Sequence, residues 1–120
     1  MINYPVSEFC DRLSILKLKC ERTNEISCKK ELEYFLRYID EYKSILPDLD
    51  KYVSQLYSVN CDIWGLESDI RMGKDIGLEE VGKRAISIRA LNKVRVSIKN
   101  QIIRITKTGF EDIKVNHSSS

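Results

Sequence analysis

The sequence is poor in the residues that most enzymes and metal sites depend on. It has one histidine and one tryptophan, and only two prolines and five glycines in 120 residues. The single imidazole, His117, sits in a serine-rich tail, so a Ser/His or Cys/His mechanism has no base in the body of the chain. The four cysteines, Cys10, Cys20, Cys28 and Cys61, include no C-x-x-C pair, and four thiolate or imidazole ligands at tight spacing are the usual signature of structural zinc. No metal site and no cofactor is therefore expected. No apolar run approaches the ~20 residues needed to cross a bilayer. The opening MINYPVSEF lacks a basic stretch followed by an apolar one, so no export signal is expected either. Together these absences predict a cytoplasmic, non-membrane protein whose cysteines are free thiols, mostly small buried hydrophobes. Phosphate-cradling G-x-x-x-x-G-K, the nucleophile motif G-x-S-x-G and internal repeats are all missing.

What remains is apolar and charged. Hydrophobic residues make up 42% and charged residues 32%, a balance that suits one helix-rich globule, residues 1–115, followed by a disordered tail, 116–120. The net charge of +2 conceals an asymmetry. Residues 1–70 hold 9 basic and 13 acidic side chains, and residues 71–107 hold 10 basic and 3 acidic. The two halves can attract one another within the fold or across an oligomer, and the basic half can attract an anion.

Apolar spacing predicts four helices. Ser7 is placed to cap the first, which carries Phe9, Leu13, Leu16 and Cys20 on one stripe and Ile15 and Leu18 on nearly the opposite side. That helix needs two partners, or one partner and an oligomer interface. The second runs from about Ser27 to Leu46, ended by Pro47, with Tyr34, Tyr38 and Tyr42 along one flank. The third starts after "PDLD" and reaches about Met72, burying Leu49, Val53, Leu56, Ile63 and Ile70. The fourth spans about residues 78–106 after the "MGKDIG" turn, burying Val81, Ala85, Ile88, Leu91, Ile98 and Ile102. The expected fold is all-α: an antiparallel four-helix bundle or a pair of helical hairpins. Short extended arms, "INYPV" and "FEDIKV", are candidates to pair at the two ends.

The candidate functional residues are polar groups lying inside these apolar stripes. At 100° per residue, with Ile88 as origin, Asn92, Arg95 and Lys99 fall at about 40°, −20° and 20°. With Leu56 as origin on the preceding helix, Asn60 and Glu67 fall at about 40° and 20°. Unpaired charge inside a fold costs several kcal/mol, so Glu67 is expected to face the Arg95/Lys99 ladder or the basic end of its own helix. Trp64 and Arg71 lie side by side near that stripe, where an indole and a guanidinium can stack. Asp11, Lys19 and Arg22 add polar groups from the first helix, with Arg12 and Lys19 flanking its apolar stripe.

Three blocks, "VSEFCDRLSILKLKCER", "VNCDIWGLESDIR" and "NKVRVSIK", resemble a family of small uncharacterised bacterial and phage proteins. Its pattern runs D-K-x-[ST]-I-L-x-x-K-x-E-R, then V-N-x-x-[IL]-W-x-[IL]-E-D-x-I-R, then N-D-x-R-x-x-[IL]-K, over about residues 6–99 here. Asp11, Ile15, Leu16, Lys19, Glu21, Arg22, Asn60, Trp64, Glu67, Arg71, Asn92, Arg95 and Lys99 match it. Arg12, Ser68 and Lys93 depart from it, and the last two remove acids, which counts against a metal-dependent role. The resemblance implies no established activity.

The cationic surplus in the stripes favours non-catalytic binding of an anionic small molecule, a nucleotide or sugar phosphate, by a helical homo-oligomer. The alternatives are a protein-interaction bundle whose buried ion pairs only set helix register, and a small helical enzyme working by electrostatic shaping alone. Nucleic acid is a weaker partner, because the basic segment lacks interleaved aromatics.

Overall fold

Helix boundaries in this chain follow from where apolar side chains must turn inward. In a computed structural model, which describes residues 4–108, these are α1 (Val6–Thr23), α2 (Ile26–Leu36), α3 (Ile39–Ile45), α4 (Leu49–Arg71) and α5 (Leu78–Thr106). The described residues are all-helical, and α1 packs on α4, α2 and α5 while α4 packs on α5, as a helical bundle does. The expected arm at "FEDIKV" and the tail lie outside the described residues. At the other end Tyr4 and Pro5 precede α1, and Val6 is already helical. No helix among the described residues is long and apolar enough to cross a membrane.

Two local expectations are corrected. Ser7 does not cap α1. The cap position is Pro5, and Ser7 is buried inside the first turn because Val6 beside it joins the core. The helix expected over about 27–46 is broken at Arg37–Tyr38, where Tyr38 N donates to Phe35 O at 3.1 Å instead of reaching back a full turn. The cause is one ring. Phe35 stacks on Phe9 at 5.5 Å between centroids and Tyr42 stacks on the same Phe9 at 3.9 Å. Seven residues of straight helix would separate their Cα atoms by about 10 Å. The bend folds both onto Phe9, and Tyr42 then donates its hydroxyl to Tyr4 O at 2.7 Å.

The core gathers around that ring stack, with Leu13, Leu16, Leu46, Leu49, Val53, Leu56, Ile98 and Ile102. Asn24 ends α1 in the left-handed region at φ 56°, a conformation asparagine tolerates better than most residues. Gly73 and Gly77, at φ 73° and 82°, make the turn that reverses the chain between α4 and α5. That hairpin is antiparallel. Arg84 bonds Asp69 and the Leu66 carbonyl near its turn, and Gln55 and Gln101 line a common groove nearer its base.

Candidate functional site

The site begins with a buried acid on α1. Asp11 is 2% exposed, and its neighbours Cys10, Leu13 and Ser14 are buried with it. A carboxylate there must find donors on the facing helices. Arg95 of α5 supplies two, Nε to Oδ1 at 3.0 Å and Nη2 to Oδ2 at 2.5 Å, the paired geometry in which arginine binds carboxylates most strongly. Asn60 of α4 donates its amide to Oδ1 at 3.3 Å and to Ser14 Oγ at 3.0 Å, and Ser14 in turn donates to the Asp11 carbonyl at 2.6 Å. Lys99, one turn along from Arg95, lies 2.6 Å from Glu8 Oε1 and 3.9 Å from Asp11 Oδ2. Three helices are thus tied by a network in which Glu8 and Asp11 balance Arg95 and Lys99. Every fully buried side-chain nitrogen and oxygen among the described residues has a partner.

Electrostatics follow this geometry. The hydrogen bonds that Arg95 donates to Asp11 hold its guanidinium above its usual range against the opposing effect of burial. Burial pushes the Cys10 thiol up to about 12, and the adjacent Asp11 charge adds to it. Cys10 is therefore a neutral core group rather than a nucleophile.

Outside the network a cleft of about 330 Å³ opens between α1, α2 and α5, lined by Glu8, Asp11, Arg12, Ile15, Leu16, Lys19, Glu31 and Arg95. Arg12 lies 4.7 Å over the Tyr4 ring and makes no ion pair with a described residue, and Lys19 makes none either. Arg95, 29% exposed at its side chain, spends Nε and Nη2 on Asp11 and keeps Nη1 unengaged beside the cleft. Glu31 is the one lining acid without a described cationic partner. The uncommitted charge in the cleft is net positive.

The structure divides the ten residues singled out in the sequence into five groups. Asp11, Lys19 and Arg95 line the cleft, while Asn60 and Lys99 stand behind it in the network. Asn92 is half-buried and joins none of these hydrogen bonds. Trp64, Glu67 and Arg71 form a separate group on the last turns of α4: Arg71 lies 4.0 Å over the Trp64 ring, bonds Glu67 at 3.1 Å and caps the Trp64 carbonyl at 3.0 Å. Arg22 reaches Cys61 Sγ at 3.2 Å, away from the cleft. Glu67 therefore does not face Arg95 or Lys99, because its own-helix neighbour Arg71 is four residues away and within reach. Glu8, Ser14 and Glu31 were not singled out. Glu8 and Ser14 each lie three residues from Asp11, so the helical spacing applied to α4 and α5 would have found both on α1.

Among the described residues no three His, Cys, Asp or Glu side chains converge as a metal cage would require. Comparison with protein-family models, with characterised proteins and with solved structures finds no match to this chain.

Proposed function

We propose that this protein binds an anionic small molecule without turning it over, in the cleft between α1, α2 and α5. The observation that carries the proposal is the uncommitted positive charge there: Arg12 and Lys19 without ion-pair partners among the described residues, beside an Arg95 whose Nε and Nη2 are held by a buried carboxylate. Pre-positioning matters because an arginine clamped from behind loses little freedom on meeting a ligand. The cleft volume, about 330 Å³, falls at the small end of ligand pockets and suits a mononucleotide or sugar phosphate. Glu31 of α2, which also lines the cleft, can accept hydrogen bonds from hydroxyls of such a ligand. The four free thiols fit a cytoplasmic setting, and kinship with the bacterial and phage family whose three blocks the chain resembles is part of the same proposal.

The experiment is calorimetric titration with inorganic phosphate, a sugar phosphate and nucleoside mono- and diphosphates, repeated on Arg12→Ala/Lys19→Ala and on Glu67→Gln. A charge-assisted hydrogen bond is worth about 1.5–3 kcal/mol, so the double variant should weaken binding at least tenfold. Glu67→Gln should leave it unchanged. Binding of none of these ligands at millimolar concentration would remove the proposal. A second reading rests on the charge balance of Glu8, Asp11, Arg95 and Lys99, which suits a network that only sets helix register in an interaction bundle. That reading predicts no anion affinity in any arm.

A further inference from the structure

The apolar stripes of α4 and α5 meet a cover along only part of their length. Asn60 and Arg95 touch α1 through Asp11, and below them Leu56, Ile98 and Ile102 are buried. Beyond that level no other described element covers the stripes. From Cys61 to Ser97 not one residue is fully buried, although Ile63, Ile70, Val81, Ile88 and Leu91 continue the same two stripes. At the end of the hairpin Ile70 is 46%, Met72 70%, Leu78 92% and Val81 37% exposed.

The course of α1 explains the gap. After Asp11 it leaves the seam between α4 and α5 and passes over the outer flank of α4, where Glu21 accepts from the Tyr57 hydroxyl at 2.5 Å and Arg22 reaches Cys61. Tyr57 and Cys61 lie about 60° and 100° round α4 from Asn60, on the side away from α5. The seam that α1 fills at Asp11 is therefore open from Ile63 and Leu91 to the hairpin turn. A face apolar at helical spacing and uncovered over two to three turns is built to meet another surface.

We infer that the open seam at the tip of the α4–α5 hairpin is closed by the same seam of a second copy of this chain, giving a twofold dimer with a four-helix bundle at its centre. Charge picks out this occupant. With Glu67, Asp69, Arg71, Glu79, Glu80, Lys83, Arg84 and Arg95 already paired within the chain, the α4 part of the tip, residues 61–71, keeps the acid Asp62, and the α5 part, residues 78–97, keeps the bases Arg89 and Lys93. A twofold partner laid with its α4 on this α5 sets an acidic edge against a basic one twice over, as a self-complementary interface requires. Arg89, about 100° from Ile88 and so at the rim of the seam, makes no ion pair with a described residue and is available to one across this interface. The surface is also continuous with the interface that α1 makes lower in the seam, so the dimer extends one core instead of adding a separate patch. The inference stands apart from the ligand proposal, since no cleft residue except Arg95 lies within the tip.

Light scattering coupled to gel filtration tests it without any variant. At ~100 µM the mass should be twice the 14.0 kDa of the chain. Ile70→Glu/Val81→Glu places charge on two partly exposed seam positions and should return the mass to one chain, with the helical circular dichroism kept. A monomeric wild type, a different oligomeric order, or a dimer that survives the double substitution would each overturn the inference.

Discussion

Replacing Arg95 by methionine would remove both donors from a carboxylate whose side chain is 3% exposed. Breaking a buried pair on one side costs about 3–5 kcal/mol, because the remaining charge stays buried without a partner. Three features of this site reduce that figure. Arg95 itself is partly in water, which screens the pair, and Lys99 at 3.9 Å can swing from Glu8 towards Asp11. Asn60 also keeps its bond to Oδ1. The expected loss for Arg95→Met is therefore about 2–3 kcal/mol, a large share of the ~5–15 kcal/mol that holds a domain together. In urea, at a slope of about 1.5 kcal/mol/M, the midpoint should fall by roughly 1–2 M. Asp11→Leu/Arg95→Met replaces both charges with apolar groups, so it should recover at least about 1 kcal/mol of that loss, and the two single changes should not add. A midpoint shift below about 0.3 M for Arg95→Met, or plain additivity in the double variant, would refute the argument that Asp11 depends on this partner.

Two pH experiments follow from the shifted groups. The Cys10 thiol, held up at about 12 against an ordinary 9.0, contributes stability that is intact below pH 9 and lost as pH rises from there towards 12. Relative to Cys10→Ala, the wild type should lose about 2–3 kcal/mol between pH 8 and pH 11, and an unchanged difference would show that the thiol is not desolvated. Over the same range alkylating reagents should modify the half-buried Cys61 before Cys10 in the folded protein. Asp69 is lowered from 3.8, first by the Arg84 hydrogen bond and then by Lys74, so its contribution is present above pH 3.8 and lost as pH falls through its lower folded value. Arg84→Met should return the Asp69 carboxyl towards its ordinary titration, read by carbon-13 chemical shift, and no movement would dissociate the pair.

The long helices were legible because their apolar spacing is regular and Pro47 and the glycines of "MGKDIG" mark their ends. The α2–α3 break was not, since two rings seven residues apart converge on Phe9 and that partner is visible only in three dimensions. Helical facing put Asn60, Arg95 and Lys99 in two stripes, and the structure brings all three to Asp11. It could not say which charge would claim which, and the nearer Arg71 took Glu67 away from α5. Nor could it say where α1 leaves the seam, so of the residues expected inside, Ile63 and Ile88 are only partly buried and Ile70 and Val81 are exposed in the single chain. Arg12 flanked the first stripe in the sequence, and its place in the cleft depends on α2 folding back beside α1.

The most direct test of the central claim is a nitrogen-15 correlation spectrum, including arginine Nε and the Trp64 indole, recorded while a nucleoside monophosphate is added. If the cleft beside the Asp11–Arg95 pair takes an anion, the Arg12, Lys19 and Arg95 signals shift together and saturate while Trp64 and Arg71 stay still. Shifts centred on Trp64 and Arg71, or none at millimolar ligand, contradict it.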